Sequence, residues 1–347
     1  MTQPHAPHTA PAAAGRLCYI SRRYRDRRTA GNKAKSDYED ILAAAGAVNL
    51  GLPRSYGGGA LRTFARNLAG VALAIWRMRR GDTLVLQYPV KKYFALLCRA
   101  ARRKGVRTVA LVHDLGAWRR SKLTPAQESR RLGLADTVAA TNPAMARLLG
   151  EQGVRSRIIS LGLHDYLSDA QPPAELPEGV SITDVAYAGS LNTRKNSFLK
   201  HLAALEGVNV VLYGRADAAD APGLRTEGFV EPEAFIAGAR AAWGLVWDGD
   251  SLDGCTGAWG DYLRVNTPHK SAFYLRAGLP LIVWSRSALA PIVRERGLGI
   301  VVDSLRRLPE AIAATDAETY RRMRRAALDA GSRAARGANL LAMLQKI

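Results

Sequence analysis

Two stretches in the second half of this chain join strand ends to helix starts with residues suited to holding phosphate. The first reads AGSLNTRKNSF, Ala188 to Phe198. An apolar run ends in Gly189, and Ser190, Asn192, Arg194 and Lys195 open a helical segment. Free N–H groups and the helix dipole favour a phosphate at such a start. A plain turn capped by Ser or Asn has the same pattern, and for this loop alone it is the stronger reading. The second stretch reads NTPHKS, Asn266 to Ser271. Proline in a first turn beside a cap marks a helix start. Lys270 and Ser271 then bring a cation and a hydroxyl to where they could close on a diphosphate. At Tyr213-Gly214-Arg215 an aromatic ends a strand, where it could stack on a base or belong to the core. Asp248, Asp250 and Asp253 have the look of a calcium loop, but the glycine and closing glutamate of an EF-hand are missing, so no metal site is expected.

Elements must position these residues. Gly244 to Trp247 and Leu279 to Trp284 are apolar runs of strand length, and Asn266 to Ala277 between them has helical spacing. Together they make a βαβ unit, which binds ligands where the loop leaves the first strand. Further strands are expected at Arg16 to Ser21, Ala47 to Leu50, Asp82 to Gln87, Arg107 to Val112, Thr137 to Ala140 and Ser156 to Ser160. In the second half they are expected at Ile182 to Ala188, Val208 to Tyr213, Arg225 to Phe229 and Gly299 to Val302. Helices alternate with them, including Asn32 to Ala45, Leu61 to Met78, Lys91 to Arg103, Ala144 to Glu151 and Arg194 to Leu205; two more, Ala317 to Leu328 and Ser332 to Gln345, end the chain. This alternation predicts parallel sheets covered on both faces. The proline-rich segment 168–180 reads as a linker between domains 16–167 and 181–330, with 331–347 as a terminal helix. Residues 1–15, rich in Ala, Pro and His, read as a disordered tail.

With 347 residues the chain has room for two cores. Cys18, Cys98 and Cys255 stand far apart, which excludes a disulfide scaffold and fits a reducing cytoplasm. No apolar run reaches the roughly 18 residues of a membrane-spanning helix. Net charge is +20 and lopsided: residues 1–170 carry 29 Lys and Arg against 11 Asp and Glu, the remainder 21 against 19. A polycationic first half attracts anionic lipid, nucleic acid or a phosphorylated substrate; a merely solvated face weighs about as much. Nucleic acid ranks lower, because the basic clusters lack interleaved aromatics and no helix-turn-helix or zinc-finger spacing occurs.

Longer segments carry a resemblance. They are AYAGSLNTRKNSFL, the block Trp243 to Trp284 and GLGIVVDSL in the second half. In the first half they are AGNKAKSDYEDIL (Ala30 to Leu42), GDTLVLQYP (Gly81 to Pro89), TVALVHDL (Thr108 to Leu115) and LGLHDYL (Leu161 to Leu167). In this order they resemble the bacterial family of beta-1,6-galactofuranosyltransferase-like and related exopolysaccharide or adhesin sugar transferases. The resemblance implies an α/β chain of the GT-B fold: two Rossmann-like domains whose parallel sheets face an interdomain cleft. It implies a nucleotide-sugar, usually UDP-linked, in the second domain and the acceptor in the first. It implies no metal and no cofactor beyond the donor, and a final helix crossing back to the first domain. Phe273 occupies the register where many such folds carry a ribose-binding Glu, which moves ribose recognition to a carboxylate of the loop Gly244 to Asp261. His164 stands where an aromatic is expected at the hinge.

On this reading Gly189, Ser190, Asn192, Lys195, Tyr213, Asp248, Asn266, Lys270 and Ser271 hold the nucleotide-sugar. Fixed N–H groups and cations would stabilise the departing diphosphate. If configuration inverts, the acceptor hydroxyl needs a base; Asp114 is the first choice, followed by His113 and Asp37, although either member of the His113-Asp114 pair weighs equally as a strand-end turn residue. Asn32, Lys33, Gln87 and Tyr88 would hold the acceptor. The basic half suits a polyprenyl-diphosphate-linked glycan and an anionic membrane surface on the cytoplasmic side. The competing enzyme reading modifies a protein adhesin in the cytosol, and the non-enzyme reading is a nucleotide- or nucleic-acid-binding protein. A homo-oligomer is left open.

Overall fold

The computed structural model describes residues 15–24, 30–89, 93–120, 123–193, 196–215 and 223–347. The expected tail therefore lies almost wholly outside the described residues, as does Lys195. Eight strands form in the first half: β1 Leu17–Tyr19, β2 Arg23–Tyr24, β3 Val48–Asn49, β4 Ser55–Tyr56, β5 Thr83–Tyr88, β6 Arg107–Val112, β7 Thr137–Ala140 and β8 Arg157–Ser160. Six more form in the second: β9 Asp184–Ala188, β10 Asn209–Tyr213, β11 Arg225–Gly228, β12 Trp243–Val246, β13 Leu281–Trp284 and β14 Gly299–Val302. They build two six-stranded sheets, ordered β3-β1-β5-β6-β7-β8 and β11-β10-β9-β12-β13-β14, and a small ribbon of β2 and β4. All these pairings are parallel.

Strands covered on both faces carry unbroken apolar runs instead of alternation. β12 (WGLV) and β13 (LIVW) are buried at every position, and so is β5, TLVLQY. Each sheet reverses its building direction once, between β1 and β5 in the first and between β9 and β12 in the second. Loops leave the carboxyl ends of those strands in opposite directions, and a crevice opens there.

The helices Ala60–Arg77 and Phe94–Arg103 cover one face of the first sheet, bringing Val71, Ala74 and Leu97 against Leu84 and Leu86. The helix Ala30–Ala44 covers the other, with Tyr38, Ile41 and Leu42 against Val85 and Val109. Leu340 and Met343 of the last helix, Ala338–Leu344, join that second cluster, so this helix packs in the first unit. The chain turns into it at Gly337, whose φ is +70°. A side chain there would meet Ile41 at 2.6 Å.

Several elements differ from the sequence expectation. One helix, Ala317–Ala335, runs through the break expected at 329–331. Gly331 does not end it but lets it lie against the helix His269–Arg276: an added Cβ would stand 2.1 Å from the Leu275 carbonyl oxygen. The helix expected over Arg194 to Leu205 is a 3₁₀ segment, Ser197–Ala204. Short helices at Gly116–Arg120, Pro125–Leu132 and Gly257–Tyr262 were not expected. Of these, Pro125–Leu132 had a readable signal, since Thr124 and Gln127 form a capping box around it.

The proline-rich segment is not a loose tether. The Arg324 guanidinium donates to the carbonyls of Pro173, Ala174 and Glu175, and Arg276 donates to those of Ser168 and Ala170. Both arginines are buried in the second unit, so the segment is strapped to its surface.

Candidate active site

At the reversal point of the second sheet, Tyr187, one residue before the end of β9, is a fully buried ring. The Lys270 ammonium lies 4.4 Å from its centroid and 3.4 Å from its hydroxyl. Asp248, in the loop after β12, accepts from Lys270 at 3.1 Å and from the Tyr187 hydroxyl at 3.4 Å. Asn196 donates to the same hydroxyl at 3.0 Å and to the Ser190 carbonyl, while its own Oδ1 accepts from Gly249 N–H. Two diverging loops and a helix start are thus tied into one polar knot. Burial, and then the Asp248 charge, push the Tyr187 phenol well above its ordinary pKa, so it remains a donor. An ammonium has three N–H donors. Tyr187 and Asp248 take two of those on Lys270.

Gly189 stands above this knot with φ +145°, and no atom would lie within 4 Å of a Cβ added to it. The end of β9 is pinned from below, because Ala188 N–H donates to the Tyr274 hydroxyl at 2.6 Å. Ser190 and Asn192 are exposed in the loop that follows. Asn266 keeps a buried Oδ1 with no hydrogen-bond partner among the described residues. A ligand N–H or O–H would satisfy it.

Three expected ligand residues are placed otherwise. Tyr213 packs edge-on against Phe235 at 4.8 Å and is buried, so its ring is core and not a platform for a base. The Ser271 hydroxyl donates to the Pro268 carbonyl at 2.7 Å and is fully buried, because the proline-started turn leaves that carbonyl to be satisfied locally. Tyr88 is equally buried; its hydroxyl donates to Glu128 and its ring abuts Phe94, which removes it from the acceptor side. Asp250 and Asp253 also have separate partners, Ser197 for one and Arg306 for the other. Among the described residues no three His, Cys, Asp or Glu side chains gather into a metal-binding group.

The first unit meets the second along the carboxyl edge of its sheet. Leu115 N–H donates to the Tyr262 hydroxyl at 2.8 Å. Asn142 caps the helix Pro143–Glu151 through Met145 N–H, and its amide reaches across to Val265 and Thr267. Asp114 is half-buried next to the Leu115 contact. His113 donates from Nε2 to Gln87, whose amide in turn donates to the Lys35 carbonyl. Burial holds His113 neutral, with its pKa well below the ordinary imidazole value.

Asp37 is buried, which pushes its carboxyl up to about 6. Its oxygens accept from Lys33 and from Leu167 N–H, and Lys33 also donates to the Leu167 carbonyl while lying over the Tyr166 ring. Asp37 and Lys33 therefore bind the helix Ala30–Ala44 to the hinge. Asn32 is half-buried near that helix start. Asp165 holds the opposite side of the hinge, accepting from Asn339 and Leu340 N–H at the start of the last helix. His164 is hydrogen-bonded to the Tyr38 hydroxyl, and its ring meets His269 edge-on at 5.5 Å. Phe273 stacks on Phe235 at 4.6 Å and faces Tyr166.

A cavity lies at the reversal point of the first sheet, lined by Ser21, Arg22, Asn67, Gln87 and Leu97 among others. Burial depresses the Arg22 pKa, and its guanidinium makes no hydrogen bond or ion pair among the described residues. Sequence reasoning gave Arg22, Tyr187 and Asn196 no place in the site and read Asn142, before Pro143, only as the cap of the helix that follows it. Arg22 stood in a visible basic cluster, whereas the reach of Asn142 to Val265 and Thr267 and the tie of Tyr187 to Asp248 and Lys270 join segments far apart in the chain.

The family comparisons follow this division. Residues 17–163 match the model described as Glucosyltransferase 3-like, N-terminal domain, and residues 185–347 match its C-terminal counterpart. The beta-1,6-galactofuranosyltransferase WbbI of Escherichia coli strain K12 is 30% identical over 312 residues, covering 86% of this chain and 88% of that one. Glucosyltransferase 3 of Streptococcus gordonii is 38% identical over 92 residues, 26% of this chain and 27% of its own length. Sucrose-phosphate synthase of Thermosynechococcus elongatus superposes with a TM-score of 0.60 at 15% identity, covering 96% of this chain and 98% of that chain. The lipopolysaccharide outer core galactosyltransferase WaaB gives 0.58 at 11%, covering 96% and 100%. HepE of Anabaena, in complex with UDP and glucose, gives 0.57 at 14%, covering 96% and 98%. These structures share the GT-B fold with the present one. Two family matches in chain order and a full-length relative lead to one conclusion: the chain belongs to the glucosyltransferase 3-like family and is a glycosyltransferase.

Proposed function

We propose that this glycosyltransferase takes its sugar from a UDP-linked donor, with galactofuranose and glucose the first choices. It passes the sugar to a lipid-diphosphate-linked glycan in cell-surface polysaccharide or glycoconjugate assembly, at the inner face of the membrane. The observation that carries the donor half is the Tyr187–Asp248–Lys270 knot beneath the open Gly189. A leaving diphosphate gathers negative charge, and fixed donors facing it lower the barrier. Lys270 has one N–H left for a phosphate oxygen after Asp248 and Tyr187 are served. Asp248 fixes the direction of the ammonium, and the space beside Gly189 leaves room for the phosphates. The work of a divalent cation falls to these groups, so the reaction runs without a metal. Lys195 is assigned to the same cluster from its sequence position alone. HepE, which shares the fold, is in complex with UDP and glucose, the nucleotide and one of the sugars of this reading.

Asp114, half-buried beside the interdomain contact of Leu115, takes the acceptor proton in an inverting transfer. His113 supports it as a neutral neighbour fixed by Gln87. Arg22 and Asn67 give the acceptor side a polar cavity. The test is a screen of UDP-sugars for hydrolysis and thermal stabilisation, with and without chelator. Turnover of a UDP-sugar that survives chelator supports the proposal. Loss of turnover with chelator removes the metal-free scheme, and a product that keeps the donor's anomeric configuration removes Asp114 as base. Transfer to a co-expressed protein, and not to a lipid-linked glycan, would reassign the acceptor.

A further inference from the structure

The helix Ala60–Arg77 turns one apolar face to the core and a second to solvent. Gly70, Val71 and Ala74 are its buried residues. On the outside, Leu61 is 82% exposed, Phe64 44%, Leu68 44% and Trp76 75%. Spacings of three, four and eight residues keep these four on one face, a stripe about 22 Å long at 1.5 Å per residue. Leu96, on the neighbouring helix Phe94–Arg103, extends it with 47% exposure. Phe64 also meets the Tyr93 ring, 6.4 Å between centroids, and four large apolar side chains in line along one partly exposed helix face are not the scattered singles of an ordinary surface.

Charge identifies the occupant. Residues 54–113 contain 13 Lys and Arg and a single acid, Asp82. That acid is buried and bridged to Arg16, so it neutralises nothing outside. Arg62 and Arg77 lie on the stripe helix itself, and Arg99 and Arg103 on its neighbour. A second copy of the chain would bring the same cations against these. A nucleic acid would leave the leucines and the tryptophan without partners. An anionic bilayer satisfies both, with the apolar face among acyl chains and the arginines at the phosphate level.

We infer that the helix Ala60–Arg77 is the membrane seat of the enzyme, lying in the plane of an anionic leaflet with Leu61, Phe64, Leu68 and Trp76 inserted. The inference rests on the lipid-linked acceptor reading above and names its surface. The inner side of the same helix supplies Asn67 and Val71 to the cavity that holds Arg22. A lipid-borne diphosphate entering from the bilayer therefore meets that cavity at the helix it has just passed.

The experiment is co-sedimentation of the full chain with phosphatidylcholine vesicles, with and without phosphatidylglycerol. It compares wild type with Leu61→Ser/Trp76→Ser, and checks both for UDP-sugar hydrolysis and thermal unfolding. Wild type should bind the phosphatidylglycerol vesicles, weaken with salt and ignore pure phosphatidylcholine. The variant should lose roughly tenfold or more in partitioning with hydrolysis intact. A milder pair, Leu61→Ala/Trp76→Phe, covers the case in which the serine variant fails to fold, and should fall between the two. Unchanged vesicle binding by folded variants overturns the helix assignment while leaving membrane attachment standing. Wild type that binds no anionic vesicle at low salt overturns both. A variant that loses duplex DNA binding as strongly as vesicle binding also overturns the insertion.

Discussion

Replacing Lys270 tests whether the knot serves the ligand or only the fold. Its ammonium lies 3.1 Å from Asp248 Oδ1, with 17% and 11% of the two side chains exposed. Removing one member of a buried pair strands the other, at a cost of about 3–5 kcal/mol. The Tyr187 hydroxyl continues to serve Asp248, which puts the expected loss for Lys270→Met near about 3 kcal/mol. The lost charge-assisted hydrogen bond to a phosphate oxygen is worth about 1.5–3 kcal/mol, or roughly 10- to 150-fold in UDP affinity. Asp248→Asn/Lys270→Met removes both charges, so urea unfolding should return most of the stability. Calorimetric titration with UDP should show no recovery of affinity. A double variant that binds UDP like wild type would refute the reasoning and make Lys270 a structural residue. A single variant as stable as wild type would refute the burial argument.

Other expectations follow from the hinge and the packing. Burial pushes His164 down to about 4 and His269 to about 3, and pushes Asp37 and Asp165 up to about 6. The unfolded histidines gain protons below about pH 6.5 while the folded ones do not, so their contribution falls with pH. The two carboxyls bind protons in the folded state first and act in the opposite direction. At about pH 5 the histidines cost ~4 kcal/mol relative to neutral pH and the carboxyls return ~3, a net loss of ~1. His113, shifted the same way as the other histidines, adds to that loss. Urea midpoints that rise between pH 7 and pH 5 would contradict this. Gly331→Ala should cost about 1–3 kcal/mol by forcing two helices apart, and a Tm equal to wild type would contradict the close approach. Asp114→Asn should lower kcat by roughly 10²–10⁴ with UDP affinity retained, and unchanged kcat would remove Asp114 from the chemistry.

The sheets were legible because parallel strands buried on both faces need unbroken apolar runs. β6 and β14 start and stop where the sequence places them. Phosphate-suited loops were legible as glycine or proline followed by polar residues at helix starts. Helix ends near residue 331 were misread because glycine breaks a helix or brings two together, and only the presence of the second helix decides which. The same holds for Tyr213 and Ser271. A ring at a strand end and a hydroxyl in a first turn are open to a ligand until Phe235 and the Pro268 carbonyl take them.

The sequence alone determined an α/β chain with two units, a polycationic first half and a lysine at a proline-started helix. Local spacing and composition are sufficient for those. Tertiary structure decided that Lys270 shares an aspartate and a buried tyrosine, and that Asn142 and Tyr262 join the two units. It also decided that an amphipathic helix shows its leucines and a tryptophan to the outside. The physical reason is common to all three. Partners 22 to 147 residues apart in the chain leave no periodic trace, and a helix with apolar residues on two sides does not say which side the core will take.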